Sequence, residues 1–203
     1  WQFALPESKL PYEQSLAYGL LILHTNLHSA GILMPEETRT EFIQFCDAFS
    51  IPVLTITNVN GLKNCMCSEK KLAKALARMT YAFSNATCAK VNLITGEAYG
   101  SAYVFMNSKS VGADLVYAWS GAKIGAMDST LAAKIMYPEA GADEIKQKAA
   151  DYEKLQDSAA SAAARGYVDR LIDPADTRKY LVAAFEMLYT KYVSEPEKKH
   201  GTK

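Results

Sequence analysis

Between Gly96 and Asp128 the chain reads GEAYGSAYVFMNSKSVGADLVYAWSGAKIGAMD, with glycines at 96, 100, 112, 121 and 125 set among small and aromatic residues. A strand that enters a glycine-rich turn and opens a helix leaves several backbone N–H groups unpaired and pointing one way. Such a turn attracts an anion or a developing oxyanion. Small residues keep those amides approachable, because a side chain would hold a substrate away from them. A tight turn needs the same glycines on steric grounds alone, and spacing does not separate the two readings. Two apolar runs, Leu115–Trp119 and Lys123–Met127, read as strands, and Ala102–Ser108 reads as a short helix.

The flanking sequence supplies a frame for that turn. Trp1–Pro11 reads as an irregular lead-in, and Leu16–His24 is ambiguous between strand and helix. Pro35–Phe49 predicts a helix with proline at its first position, Glu36 and Glu37 at its positive end, and a stripe of Phe42, Phe45, Cys46 and Phe49. Ile51–Val59 is β-branched and ends at Asn60-Gly61, as a buried parallel strand would. Ser68 is placed to cap a helix to about Asn85, with Leu72, Leu76, Met79 and Phe83 on one face and Lys70, Lys71, Lys74 and Arg78 on the solvated side. Ala89–Thr95 is the strand that delivers the chain to Gly96.

Downstream, Asp128 or Ser129 caps a helix through Tyr137. The alanine-rich run Asp143–Arg165 divides into two helices closed by Gly166. Asp173, followed by Pro174, opens a last helix with a stripe of Leu181, Phe185, Leu188 and Tyr192. Strands alternating with helices predict an α/β fold with a mostly parallel sheet, and residues 1–203 read as a single domain.

Composition narrows the function classes. Lys plus Arg and Asp plus Glu number 22 each, so no net field favours nucleic acid or an acidic membrane surface. The longest apolar runs fall far short of the roughly 20 residues needed to span a bilayer, so direct membrane insertion is not expected. Cys46, Cys65, Cys67 and Cys88 lack a C-x-x-C pair, and His24, His28 and His200 lie far from them in sequence. Zinc sites have tighter spacing, so no metal is expected and reduced thiols in a cytoplasmic protein are the default. Cys46 falls on an apolar helix face and is expected in the core.

Three segments carry a resemblance: FIQFCDAFSIPVLTITNVNGL, GEAYGSAYVFMNSKSVGADLVYAWSGAKIGAM and AARGYVDRLIDPADTRKYLVAAFEML. In content and order they resemble carboxyltransferase subunits of biotin-dependent acyl-CoA carboxylases and decarboxylases, the propionyl-CoA and methylmalonyl-CoA type. That family belongs to the ClpP/crotonase superfamily. The likeness runs from about Ala30 to Tyr189, and GYVDRLIDPADTR is its most diagnostic part, since no general physical rule requires it. The family's subunits have two crotonase-like halves, and these pieces resemble the C-terminal one. The acyl-CoA-binding N-terminal half is expected to lie outside this chain.

The resemblance implies a ClpP/crotonase-like fold and a site for N-carboxybiotin. The family's G-G-A amides, which stabilise the oxyanion on the biotin ureido group as carboxyl is released, map to Ser101 and Ala102. Gly100 would keep the approach open, Tyr99 and Tyr103 would wall the slot or pack in the core, and Val104 would tune substrate choice. Met127 would line the substrate side, followed by Asp128 where the family has glycine. Ser101 replaces the family's second glycine, and Asn58 and Asn60 replace acidic and proline residues of its V-D-V-P-G-F segment.

No Ala-Met-Lys-Met biotin-attachment sequence and no phosphate-binding loop with Lys-Ser or Lys-Thr is present. Biotin would therefore arrive on a separate biotin carboxyl carrier protein, with a coenzyme A thioester as the second substrate and ATP chemistry elsewhere. The family's sites form between subunits, which implies a homo- or hetero-oligomer. Three other functions fit parts of the pattern. A non-catalytic scaffold subunit would share the fold. A stand-alone crotonase enzyme shares G-x-A-x-G at Gly96, Ala98 and Gly100 but needs a catalytic carboxylate, for which Asp128 is the candidate. A serine peptidase would use Ser101 with His24 or His28 as base.

Overall fold

The computed structural model describes residues 36–62 and 66–194. Readings made on Trp1–Pro11, Leu16–His24, His28, Pro35, Cys65, His200 and the tail from 195 onward lie outside the described residues.

Five strands, β1 (Val53–Val59), β2 (Lys90–Tyr99), β3 (Leu115–Trp119), β4 (Lys123–Gly125) and β5 (Arg170–Ile172), form one sheet. β1, β2, β3 and β5 lie side by side in that order, β4 pairs with β2, and every pairing is parallel. The helices are α1 (Glu36–Ala48), α2 (Met66–Asn85), α3 (Gly100–Val104), α4 (Ser129–Met136), α5 (Ala142–Tyr152), α6 (Ala159–Ala164) and α7 (Thr177–Leu188). A parallel sheet flanked by helices is the α/β architecture expected.

Alternation along the strands assigns the two faces. Leu54, Ile56, Val91, Leu93, Leu115 and Tyr117 point to α7, where Leu181, Ala184, Phe185 and Leu188 meet them. Trp119 joins that face, and its indole Nε1 donates to Thr177 Oγ1 at 2.9 Å, fixing where α7 begins. On the opposite face Val53 packs against Ile43, Cys46, Met79 and Phe83 of α1 and α2. Ile94, Ala98, Val116, Ala118 and Ile124 form a third cluster with α3 and α6 at the sheet's C-terminal end. Full burial of a side chain such as Phe83 contributes about 2–3 kcal/mol.

Several boundaries differ from expectation for identifiable reasons. β2 continues through Gly96 to Tyr99 rather than turning at Gly96. Its register against β1 slips between Thr57 and Val59, and Asn58 fills the gap, its Oδ1 accepting from Glu97 N at 2.9 Å. Gly96 is needed because a Cβ there would lie 2.6 Å from Asn58 Oδ1. The short helix begins at Gly100, earlier than the expected Ala102.

In α1 the buried stripe is Ile43 and Cys46, with Phe42 packed beside them. Phe45 and Phe49 instead lie tilted against each other, ring centroids 4.7 Å apart, and are exposed, because the face of α1 turned to α2 and β1 is that of Ile43 and Cys46. Ser68 falls inside the first turn of α2, not ahead of it. Asp173 precedes a 3₁₀ turn, Pro174–Asp176, makes no side-chain cap, and α7 itself starts at Thr177. Because α7 ends at Leu188, Tyr192 leaves the stripe and is exposed.

Candidate active site

β2 runs directly into α3 at Tyr99 and Gly100. Tyr99 is extended at φ −111° and ψ 139°, while Gly100 takes φ +60°, a left-handed conformation that glycine adopts at little cost. A Cβ on Gly100 would also meet the carbonyl oxygen of Ala126 at 3.1 Å. The chain thus turns from strand to helix in one residue, braced by the segment after β4. At the start of α3 the N–H groups of Gly100, Ser101 and Ala102 precede the first turn and have no acceptor within the helix.

The expected site residues gather around this turn. Ser101 is exposed, Gly100 and Val104 are half-buried, and the Ala102 side chain is buried. Tyr103 packs into the cluster of Ala98, Ala102 and Ile124, and its hydroxyl has no partner among the described residues. Burial pushes its phenol up to about 12, so it stays neutral at any physiological pH. Tyr99 is only 3 % exposed and pairs across the sheet with Gly125. Burial raises its phenol further, with Asp157, Glu97, Asp128 and Glu153 adding to the effect.

Met127 is half-buried on the segment that leads from β4 to α4. The next residue, Asp128, caps α4: its Oδ1 accepts from Thr130 N at 3.0 Å and from Leu131 N at 3.1 Å. A carboxylate held by two amides at a helix start is a structural cap. Asp128 is the carboxylate on which a stand-alone crotonase reading depends, and here its Oδ1 serves the start of α4. His24 and His28, the bases a Ser101 nucleophile would need, lie outside the described residues.

One group in this corner carried no local sequence signal. Asp157 ends the π-helical turn Glu153–Asp157 that follows α5, and its side chain is 0 % exposed. Burial first, then Asp128 and Glu153, raise its carboxyl to about 6, while Lys123 pulls the other way. Lys123 pairs with Glu153 at 2.9 Å across the half-exposed rim. Farther off, Cys46 and Cys88 are buried free thiols, both pushed up to about 11 by burial. Among the described residues no group of three or more His, Cys, Asp or Glu could hold a metal ion. No helix there is long and apolar enough to cross a membrane.

Comparison with known proteins bears out the ClpP/crotonase-like fold. The carboxyl transferase domain profile matches residues 14–202. The chain is 39 % identical over 185 residues to the propionyl-CoA carboxylase carboxyltransferase subunit of Haloferax mediterranei, an alignment covering 85 % of this chain and 35 % of that protein. It is 42 % identical over 168 residues to the methylmalonyl-CoA decarboxylase subunit alpha of Propionigenium modestum, covering 79 % and 32 %. The crystal structure of the transcarboxylase 12S hexamer, with methylmalonyl-CoA and methylmalonic acid bound, superposes with a TM-score of 0.77 at 37 % identity. That match covers 82 % of this chain and 33 % of the other. The chain therefore spans about a third of the length of the relatives it matches. On the extent of the profile match, this chain belongs to the carboxyl transferase domain family.

Proposed function

We propose that residues 1–203 form one crotonase-like domain, the N-carboxybiotin-binding part of a carboxyltransferase acting on an acyl-CoA. The observation that carries this reading is the one-residue turn at Gly100, which leaves the amides of Ser101 and Ala102 without helical acceptors. N-carboxybiotin, brought by a separate carrier protein, supplies the carboxyl group to be moved. The chain supplies preorganised donors. As negative charge grows on an oxygen held at the turn, the Ser101 and Ala102 N–H groups would donate to it without reorienting. One such donor typically lowers the barrier by about 3–4 kcal/mol.

The remaining residues shape access to that point. Gly100 leaves room above the amides, Tyr99 and Tyr103 back the turn with neutral phenols, and Met127 and Val104 offer apolar surface at its edge. The acyl-CoA would be bound by a partner half, and the site would be completed in an oligomer. Three net reactions, carboxylation, transcarboxylation and decarboxylation, share this half-reaction.

The test is a titration of the chain with biotin while amide NMR shifts are followed. Shifts centred on Gly100, Ser101 and Ala102 are the expected result. No response at those amides in a folded, assembled sample would sink the reading and leave a non-catalytic scaffold of the same fold.

A further inference from the structure

Asp157 is a carboxyl group that the chemistry proposed above does not use. It has no exposed surface, and neither oxygen has a hydrogen-bond partner among the described residues. Its seat is built into the fold. A Cβ on Gly125 would lie 2.1 Å from Oδ1 and 2.9 Å from Cγ, so the side chain that glycine lacks is the space the carboxyl group fills. Gly125 in turn pairs with Tyr99, and the next residue, Ala126, sets its carbonyl against Gly100. Asp157 thus bears directly on the strand end that braces the amide turn.

The charges around it oppose ionisation. Tyr99 faces it from β2, Lys123 from β4, Asp128 from the α4 cap, Tyr152 from the end of α5, and Glu153 from its own turn. Lys123 is already paired with Glu153. A further negative charge, buried and unpaired beside Asp128 and Glu153, is disfavoured by desolvation and by repulsion.

We propose that Asp157 is a positioning residue of this site, seated over Gly125 as the neutral acid and holding the end of β4 against the Gly100 turn until ionisation releases it. The inference rests on the carboxyl-transfer reading only for the meaning of that turn. The sign follows from the carboxyl's rise from 3.8 to about 6. Stabilisation from a raised carboxyl is complete below its unfolded value and is lost as pH rises through the folded one. Bracing is therefore strongest on the acid side of about pH 6 and weakens toward neutrality.

The experiment follows the amide shifts of Gly100, Ser101 and Ala102 in the whole chain across that pH range, together with the carboxyl ¹³C signal of Asp157. Amide and carboxyl signals should share an inflection near pH 6. Asp157→Asn, neutral and close in shape, should flatten the amide inflection while keeping a dispersed spectrum. An amide inflection unchanged in that variant overturns the proposal. So does a wild-type carboxyl titrating in the ordinary range. Should Asp157→Asn not fold, the wild-type pair still decides, since amides that stay flat while the carboxyl titrates refute it. Failure of biotin to bind would leave this result standing, whereas biotin binding with pH-independent amides would remove Asp157 alone.

Discussion

Ser101 presents two groups with different chemistry, an amide at the start of α3 and an exposed hydroxyl. In the oxyanion role the amide acts and the hydroxyl is incidental. Ser101→Ala in the reconstituted enzyme should therefore leave carboxyl transfer within about threefold of wild type, because the backbone donor survives. A drop of about a hundredfold or more would instead mark the hydroxyl as a reacting group. Gly100 is less tolerant. Alanine there would sit at φ +60° with its Cβ 3.1 Å from the Ala126 carbonyl. Gly100→Ala should cost about 1–3 kcal/mol in urea unfolding, and an unchanged midpoint would refute the strain. At this scale the turn was legible because glycines and small residues cluster within one short stretch. Asp157 was not, because it is marked only by its fit to Gly125, a residue distant in sequence. Gly96 misled in the opposite way: a glycine read as a turn proves to be a strand position where a neighbouring side chain passes closely.

Elements were easiest to place where one periodicity dominated. β3 falls on the expected Leu115–Trp119, and α2 reaches the expected Asn85 with Met79 and Phe83 buried. Difficulty came where an end depended on distant partners. Nothing local distinguishes Ile43 from Phe45 as the inward residue of α1. Contact with α2 and β1 selects Ile43 and leaves Phe45 and Phe49 on the outer face. The docking of α7 has a similar long-range anchor in the bond from Trp119 to Thr177. Trp119→Phe keeps most of the apolar surface against α7 but deletes the donor, leaving the half-buried Thr177 hydroxyl without it. A loss of about 1 kcal/mol is expected in urea unfolding, with the slope unchanged. A slope that falls as well would mean that α7 had come away as a unit, and that the indole bond does more than fix its start.

At the scale of the molecule, the chain's share of its relatives, about a third of their length, sets what it can do alone. The amide turn lies wholly within it, whereas an acyl-CoA site was expected in a half outside it. Downstream of the Ala126 segment that meets Gly100, α4 exposes Leu131 at 51 % and Ile135 at 62 %, one turn apart on the same face. Leu155 is similarly exposed on the π-helical turn that also carries Asp157. Apolar side chains exposed in this way suit coverage by another protein surface. The chain by itself should therefore bind biotin yet transfer no carboxyl to an acyl-CoA, and mixing it with an acyl-CoA-binding half should produce both a larger species in size-exclusion chromatography and transfer activity. Leu131→Glu, on the surface and away from the amides, should weaken that assembly while leaving biotin-induced amide shifts intact. If the chain stayed monomeric with and without such a half, assembly across this face would be wrong, and transfer between two subunits would lose its structural basis. If Leu131→Glu abolished the amide shifts as well, the exposed face would belong to the biotin site itself, and the division between the carboxyl-donor and acyl-CoA sides would have to be redrawn.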